Sequence, residues 1–253
     1  MVEAYVRDRL KEKQILLMTH IVLGYPSVKV SMELVAAMVA AGVDIIELQI
    51  PFSEPIADGP TILRANQIAL ANGAKVRTCL AAAGEMTRAF EIPFLFMTYY
   101  NILFKYGVAA FAADMKAQGL RGAIVPDLPP EESSEYLAAM AAQDLAPIYI
   151  YSPTTTEARM RYIASKAEGF IYCVARKGVT GAKTDFTGEL ETYLQRCRGA
   201  TGLPLALGFG VSNREEISFL KGKVDIAVIG SQVIRLMERE GVAAVKPFIQ
   251  SLR

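Results

Sequence analysis

Glu47 stands in the middle of DIIELQI (44–50), an apolar run otherwise fit for burial, and Asp58 follows in the loop PFSEPIADGP (51–60). A carboxylate among Ile45, Ile46, Leu48 and Ile50 is costly unless it is paired, hydrogen-bonded or neutral. Desolvation by such neighbours raises a carboxyl pKa toward neutrality, which suits a general acid or base. The structural alternative is a buried Glu satisfied by a Ser, Tyr or Lys. Pro51, Pro55 and Pro60 stiffen the loop, so Asp58 is expected to be held over the strand end. Its other reading is a turn residue, since Asp-Gly is a common turn former. Two acids in different environments divide acid and base work between them.

A second set of residues fits an anion. GFG (208–210) and GS (230–231) each end an apolar run and precede a helical stretch. Glycines there let backbone N–H groups approach a phosphate, and a helix N-terminus adds a favourable partial charge. Gly181, in ARKGVTGA (175–182), adds a further N–H.

Other chemistries are poorly supplied. His20 is the only histidine, so a zinc hydrolase or a Ser-His-Asp enzyme would have to be built on one imidazole without a ligand cluster. No metal is expected. Cys79, Cys173 and Cys197 show neither metal nor CxxC spacing and read as reduced thiols of a cytoplasmic protein. A net charge of +1 gives no reason to expect nucleic acid or a membrane surface as partner. No apolar stretch approaches the roughly 18–20 residues of a membrane span. MVEAYVRDRLKEKQ (1–14) lacks a signal-peptide core.

The elements that must position these residues recur evenly. Apolar runs lie at 15–18, 44–50, 93–97, 122–127, 146–151, 170–174, 204–210 and 226–230, with helical periodicity at 30–42, 107–119, 130–143 and 215–222. Eight buried strands alternating with helices predict a parallel sheet covered by helices, and the count fits a (β/α)8 TIM barrel. An open doubly-wound sheet is the alternative. With no linker or composition break, residues 1–253 read as a single domain. An extra helical stretch at 60–73 enlarges the second βα connection. In a barrel the site lies at the C-terminal strand ends. That gathers Glu47, Asp58, Tyr99, Asn101, Asp127 and the loops ARKGVTGA, GFGVSN and IGSQV.

ELQIPFSEPIADGPTI, MTYYN, VPDLPPEES, ARKGVTGA, GFGVS and IGS, in this order and spacing, resemble the tryptophan synthase α-subunit family. The resemblance implies a TIM barrel that splits indole-3-glycerol phosphate into indole and glyceraldehyde 3-phosphate, without a cofactor of its own. It also implies a pyridoxal-phosphate-dependent β subunit as partner in an α2β2 heterotetramer. Carried over residue by residue, Glu47 matches the catalytic Glu, and Asp58 the Asp that binds the indole N–H and helps withdraw its proton. Tyr99, Tyr172 and Phe209 match positions lining the indole and glycerol region. Gly181, Gly210, Gly230 and Ser231 match the phosphate grip, and Arg176 and Thr180 a loop that closes over substrate.

Four positions depart from the family pattern. Gln49 replaces a usual Gly, Glu54 the Asp of FSDP, and Tyr25 the Asp of GDP. His20 stands where an aromatic usually faces the indole pocket. It either stacks as an aromatic would, hydrogen-bonds substrate, or shifts the pKa of Glu47. The competing functions are a stand-alone indole-3-glycerol phosphate lyase, a Schiff-base aldolase through Lys177, and a subunit that chiefly binds and activates a partner.

Overall fold

Strands that are apolar on both faces must be covered on both, and closing the sheet on itself covers one face without any added element. The computed structural model describes residues 2–175, 188–208 and 211–253. Its strands are β1 (Leu16–Val22), β2 (Ile45–Gln49), β3 (Phe94–Met97), β4 (Gly122–Ile124), β5 (Ala146–Tyr151), β6 (Ile171–Val174), β7 (Leu205–Gly208) and β8 (Ile226–Ile229). All neighbours pair in parallel, and β1 pairs with β8, so the sheet is a closed barrel. That pairing rules out the open doubly-wound alternative.

Alternation along each strand makes two cores. Leu16, Met18, Ile45, Leu95, Ile124, Ile148, Ala206, Ile226 and Val228 pack inside the barrel. Leu17, Ile21, Ile46, Leu48, Phe96, Leu207 and Ile229 face the helices. The β1–β2 register aligns Met18 with Ile45, His20 with Glu47 and Val22 with Gln49. His20, Glu47 and Gln49 therefore point inward, above the apolar filling.

Helices begin where the sequence supplies caps. Ser27 caps α2 (Val28–Ala40), following the N-terminal helix α1 (Val2–Arg9). Pro60 occupies the first turn of α3 (Pro60–Ala71). With α4 (Val76–Ala89), this helix gives the second βα connection two helices, the enlargement expected from residues 60–73. The third is doubled as well, by α5 (Tyr100–Tyr106) and α6 (Val108–Ala117). Then come α7 (Ser134–Ala142), α8 (Glu157–Ala164), α9 (Gly188–Ala200), α10 (Arg214–Leu220), α11 (Ser231–Glu240) and α12 (Val245–Ser251). Val2 and Val6 of α1 pack with Leu16 and Phe170 and cover the N-terminal end of the barrel.

Asp44 belongs to that end. It is 2% exposed and accepts the Leu17 N–H at 3.0 Å. Lys13 donates to it, with Arg9 at 3.7 Å and Arg253 at 3.4 Å. Asp44→Ala leaves the Leu17 amide and Lys13 without their partner, while Arg9 keeps Glu12 and Arg253 keeps the Gly42 carbonyl. It is expected to cost about 1–3 kcal/mol of stability, measured by urea unfolding.

Candidate active site

The inward positions at the C-terminal ends of β1 and β2 carry polar side chains in place of core. Glu47 is 3% exposed and His20 7%. His20 Nδ1 lies 2.8 Å from Glu47 Oε1, while Glu47 Oε2 is buried without a partner. Neither Ser, Tyr nor Lys satisfies this acid; an imidazole does, by one oxygen only.

Asp58 is held from β2 and from the turn after β3. Gln49 Nε2 donates to its Oδ2 at 2.6 Å and the Tyr99 hydroxyl to the same oxygen at 3.2 Å. The Ala57 N–H donates to the Tyr99 hydroxyl at 3.2 Å, and Phe52 stacks on the Tyr99 ring at 5.0 Å. Buried Asn66 of α3 accepts the Phe52 N–H at 2.9 Å and donates to Ile62 O at 2.9 Å. Hydrogen bonds from β2, the turn after β3 and α3 thus fix the loop whose stiffness its prolines suggested. Asn66 was not singled out from the sequence, although an Asn inside an apolar helical stretch is the signal that marks it.

The electrostatics follow from burial. Desolvation raises the Asp58 carboxyl pKa, opposed by the hydrogen bond from Gln49, the charge of His20 and the hydrogen bond from Tyr99. For His20, burial pulls the pKa down, but the charge and hydrogen bond of Glu47, the charge of Asp58 and the Gln49 side chain outweigh it and leave it raised. The half-buried Tyr172 phenol is pushed well up by burial and by the charges of Glu47 and Asp58, so it is a neutral donor.

Gly230 and Ser231 stand where β8 meets α11, and no side chain caps that helix start. A Cβ on Gly230 would lie 3.5 Å from His20 Cβ, so this turn backs directly onto the imidazole. Its uncapped N–H groups suit an anion. Glu47, Asp58, His20, Tyr99, Tyr172, Gly230 and Ser231 are thus brought to one end of the barrel. Arg176, Lys177, Thr180, Gly181, Phe209 and Gly210 lie outside the described residues.

Three other strand-end and departing residues have local explanations. Asp127 accepts the Tyr100 N–H at 2.9 Å and so caps α5 beside Tyr99. Tyr25 donates its hydroxyl to Glu238, which also pairs with Arg64, tying the β1 loop to α11 and α3. Glu54 is exposed.

A family model described as tryptophan synthase alpha chain matches residues 6–250. The chain belongs to the tryptophan synthase alpha chain family. It is 62% identical over 253 residues to the tryptophan synthase alpha chain of Syntrophotalea carbinolica, covering 100% of both chains. It is 61% identical over 252 residues to that of Desulforapulum autotrophicum, again with 100% of both covered. A Mycobacterium tuberculosis tryptophan synthase structure superposes with a TM-score of 0.93 at 32% identity, over 99% of this chain and 96% of that one. A structure of the Pyrococcus furiosus tryptophan synthase α2β2 complex gives 0.87 at 31% identity, over 94% and 97%. With this α-chain family come the TIM-barrel fold and the lyase class read from the motifs.

Tyr172 has a steric requirement of its own. A Cβ on Gly208 would lie 2.3 Å from the Tyr172 hydroxyl oxygen, so the ring rests on bare backbone. Gly208→Ala in this α chain is expected to displace the ring at a cost of about 1–3 kcal/mol. Gly208→Ala with Tyr172→Ala should cost less than the sum of the single changes, as read from a double-mutant cycle of unfolding free energies.

Proposed function

We propose that this chain cleaves indole-3-glycerol phosphate to indole and glyceraldehyde 3-phosphate by a retro-aldol reaction, with Glu47 and Asp58 as its acid/base pair. The observation that carries the assignment is the unequal satisfaction of the two carboxylates. Glu47 keeps one buried oxygen unpartnered, whereas Asp58 is oriented by two neutral donors on a single oxygen. Cleavage requires a proton on indole C3, removal of the proton from the glycerol hydroxyl, and temporary removal of the indole N–H proton. The free oxygen of Glu47 serves the first two needs. The oxygen of Asp58 opposite its donors serves the third. Each such group contributes roughly 10²–10⁴-fold.

Tyr99 and Tyr172 supply walls for the indole and glycerol region, together with Phe209. The phosphate is assigned to the start of α11 at Gly230 and Ser231, with Thr180, Gly181 and Gly210 completing the grip. Holding it there provides binding energy away from the breaking bond. No cofactor is assigned.

A β subunit is the inferred partner, in an α2β2 assembly. Support comes from the Pyrococcus furiosus complex and from the loop around Glu54, where Ile56 is 74% exposed. The three buried free thiols suit a reducing compartment, and the cytoplasm is inferred on that ground.

Indole release from indole-3-glycerol phosphate, measured with and without a β subunit, tests this assignment. The chain should release indole, faster with the partner. Glu47→Gln should lower kcat by roughly 10²–10⁴-fold while the melting temperature stays close to that of the parent. Normal turnover in that variant would overturn the role given to Glu47.

A further inference from the structure

The structure places His20 against Glu47 and Gln49 against Asp58. We propose that His20 is the positioning residue of Glu47 and shares one proton with it, and that Gln49 ties this pair to Asp58, so that the four side chains act as one unit during cleavage. The inference rests on the retro-aldol assignment above.

The geometry carries it. The β1–β2 register sets His20 directly beside Glu47, and Gln49 lies two residues further along the same inward face. Nδ1 of the imidazole is taken by Glu47 Oε1 at 2.8 Å, which leaves Oε2 for substrate. Gln49 has spent its NH2 on Asp58 Oδ2 at 2.6 Å and Asn66 Oδ1 at 3.5 Å, so only its carbonyl oxygen remains, as an acceptor. That oxygen and His20 Nε2 are both buried and unpartnered. An imidazolium offers an N–H at Nε2 as well as at Nδ1; a neutral ring bonded to a carboxylate through Nδ1–H offers only a lone pair there. Protonation of His20 therefore gives Gln49 a donor to face, and the order Asp58, Gln49, His20, Glu47 runs without a mismatch.

The charges point the same way. The carboxylates facing His20 are Glu47 beside it and Asp58 from the β2 loop, and both favour the cation. The Tyr172 phenol from β6 is neutral, Tyr99 from the turn after β3 donates to Asp58, and the turn after β8 sets the Gly230 backbone against His20. With His20 protonated, the pair of Glu47 and His20 holds one transferable proton.

The proton count closes over the reaction. The pair gives its proton through Glu47 to indole C3, while Asp58 takes the proton from the indole nitrogen. Glu47 then takes the hydroxyl proton as the carbonyl forms and the C–C bond breaks. That bond's electron pair flows into the ring, whose nitrogen recovers its proton from Asp58. The pair again holds one proton, and no oxidant or outside base is used. As pH rises through the His20 titration the pair empties and the first step stalls. Stability follows the same sign. A raised folded-state pKa gives a contribution that is complete below the unfolded value of about 6.5 and lost as pH rises through the folded value.

The sole imidazole makes the test direct. Ring 15N spectra of the untagged full chain, recorded against pH, report His20 alone. The titration midpoint should lie above 6.5, the ordinary value, and fall in Glu47→Gln. Gln49→Gly should lower it less. The alkaline limb of kcat should follow the parent's midpoint, with KM little changed. In His20→Phe the limb should move to lower pH, and each pH unit of movement lowers kcat about tenfold at a fixed pH above it. His20→Asn, which keeps a donor to Glu47 without a titrating proton, should hold the fold and show the same displaced limb. A midpoint at or below 6.5, a midpoint unmoved by Glu47→Gln, or an unchanged kcat profile in both His20 variants overturns the unit. Absence of cleavage in the parent, with the titration as expected, overturns the reaction assignment and leaves the pairing standing.

Discussion

The register between β1 and β2 constrains the rest of the site. It sets the one imidazole against the one inward-facing strand acid among the described residues, above an interior filled by apolar side chains. A slip of one residue would turn Glu47 outward into the helix layer and bring Ile46 and Leu48 inward, exchanging a reactive group for two core side chains. Barrel closure holds the register from both sides, because β1 is also paired with β8 and β2 with β3. The acid's position is therefore a property of the whole closed sheet.

Two acids three residues apart on the chain show what decides between a structural and a reactive carboxylate. Asp44, at the N-terminal end, is surrounded by Lys13, Arg9, Arg253 and a backbone amide. Every part of its charge is answered. Glu47 has one imidazole and one oxygen left over. Both are almost fully buried, so burial alone does not separate them. The number of partners does, and it matches the division of this fold into a stabilising and a reactive end.

Much of this was legible in the sequence, and what was not has a common cause. Strands stood out because both faces are apolar, and Glu47 stood out because it breaks that pattern. The apolar run ends at residue 18, whereas β1 runs on through Thr19 and His20 to Val22, and its polar members are satisfied by Met38 of α2 and Glu47 of β2. Helix α5 was missed because MTYYN carries no cap of its own; Asp127 caps it from the next strand's loop. Asn66 and Gln49 fix Asp58 through bonds that link separate elements. Periodicity reports what neighbours along the chain do, and these contacts lie between residues that only the closed barrel makes neighbours.

That closure also governs how the molecule comes into being. Leu16 meets Ile226 more than two hundred residues later, and parallel strands carry no hairpin that would let this pairing start locally. Until β8 is present, β1 offers an unpaired edge and the interior layers lack a wall. Native contacts of such long sequence separation fold slowly and leave partly formed sheets open to association with other chains. His20, Glu47, Gln49 and Asp58 come from β1, β2 and the loop after it, but the register that holds them is closed on its far side only by β8, so full catalytic competence and protection from aggregation depend on the same closing contact.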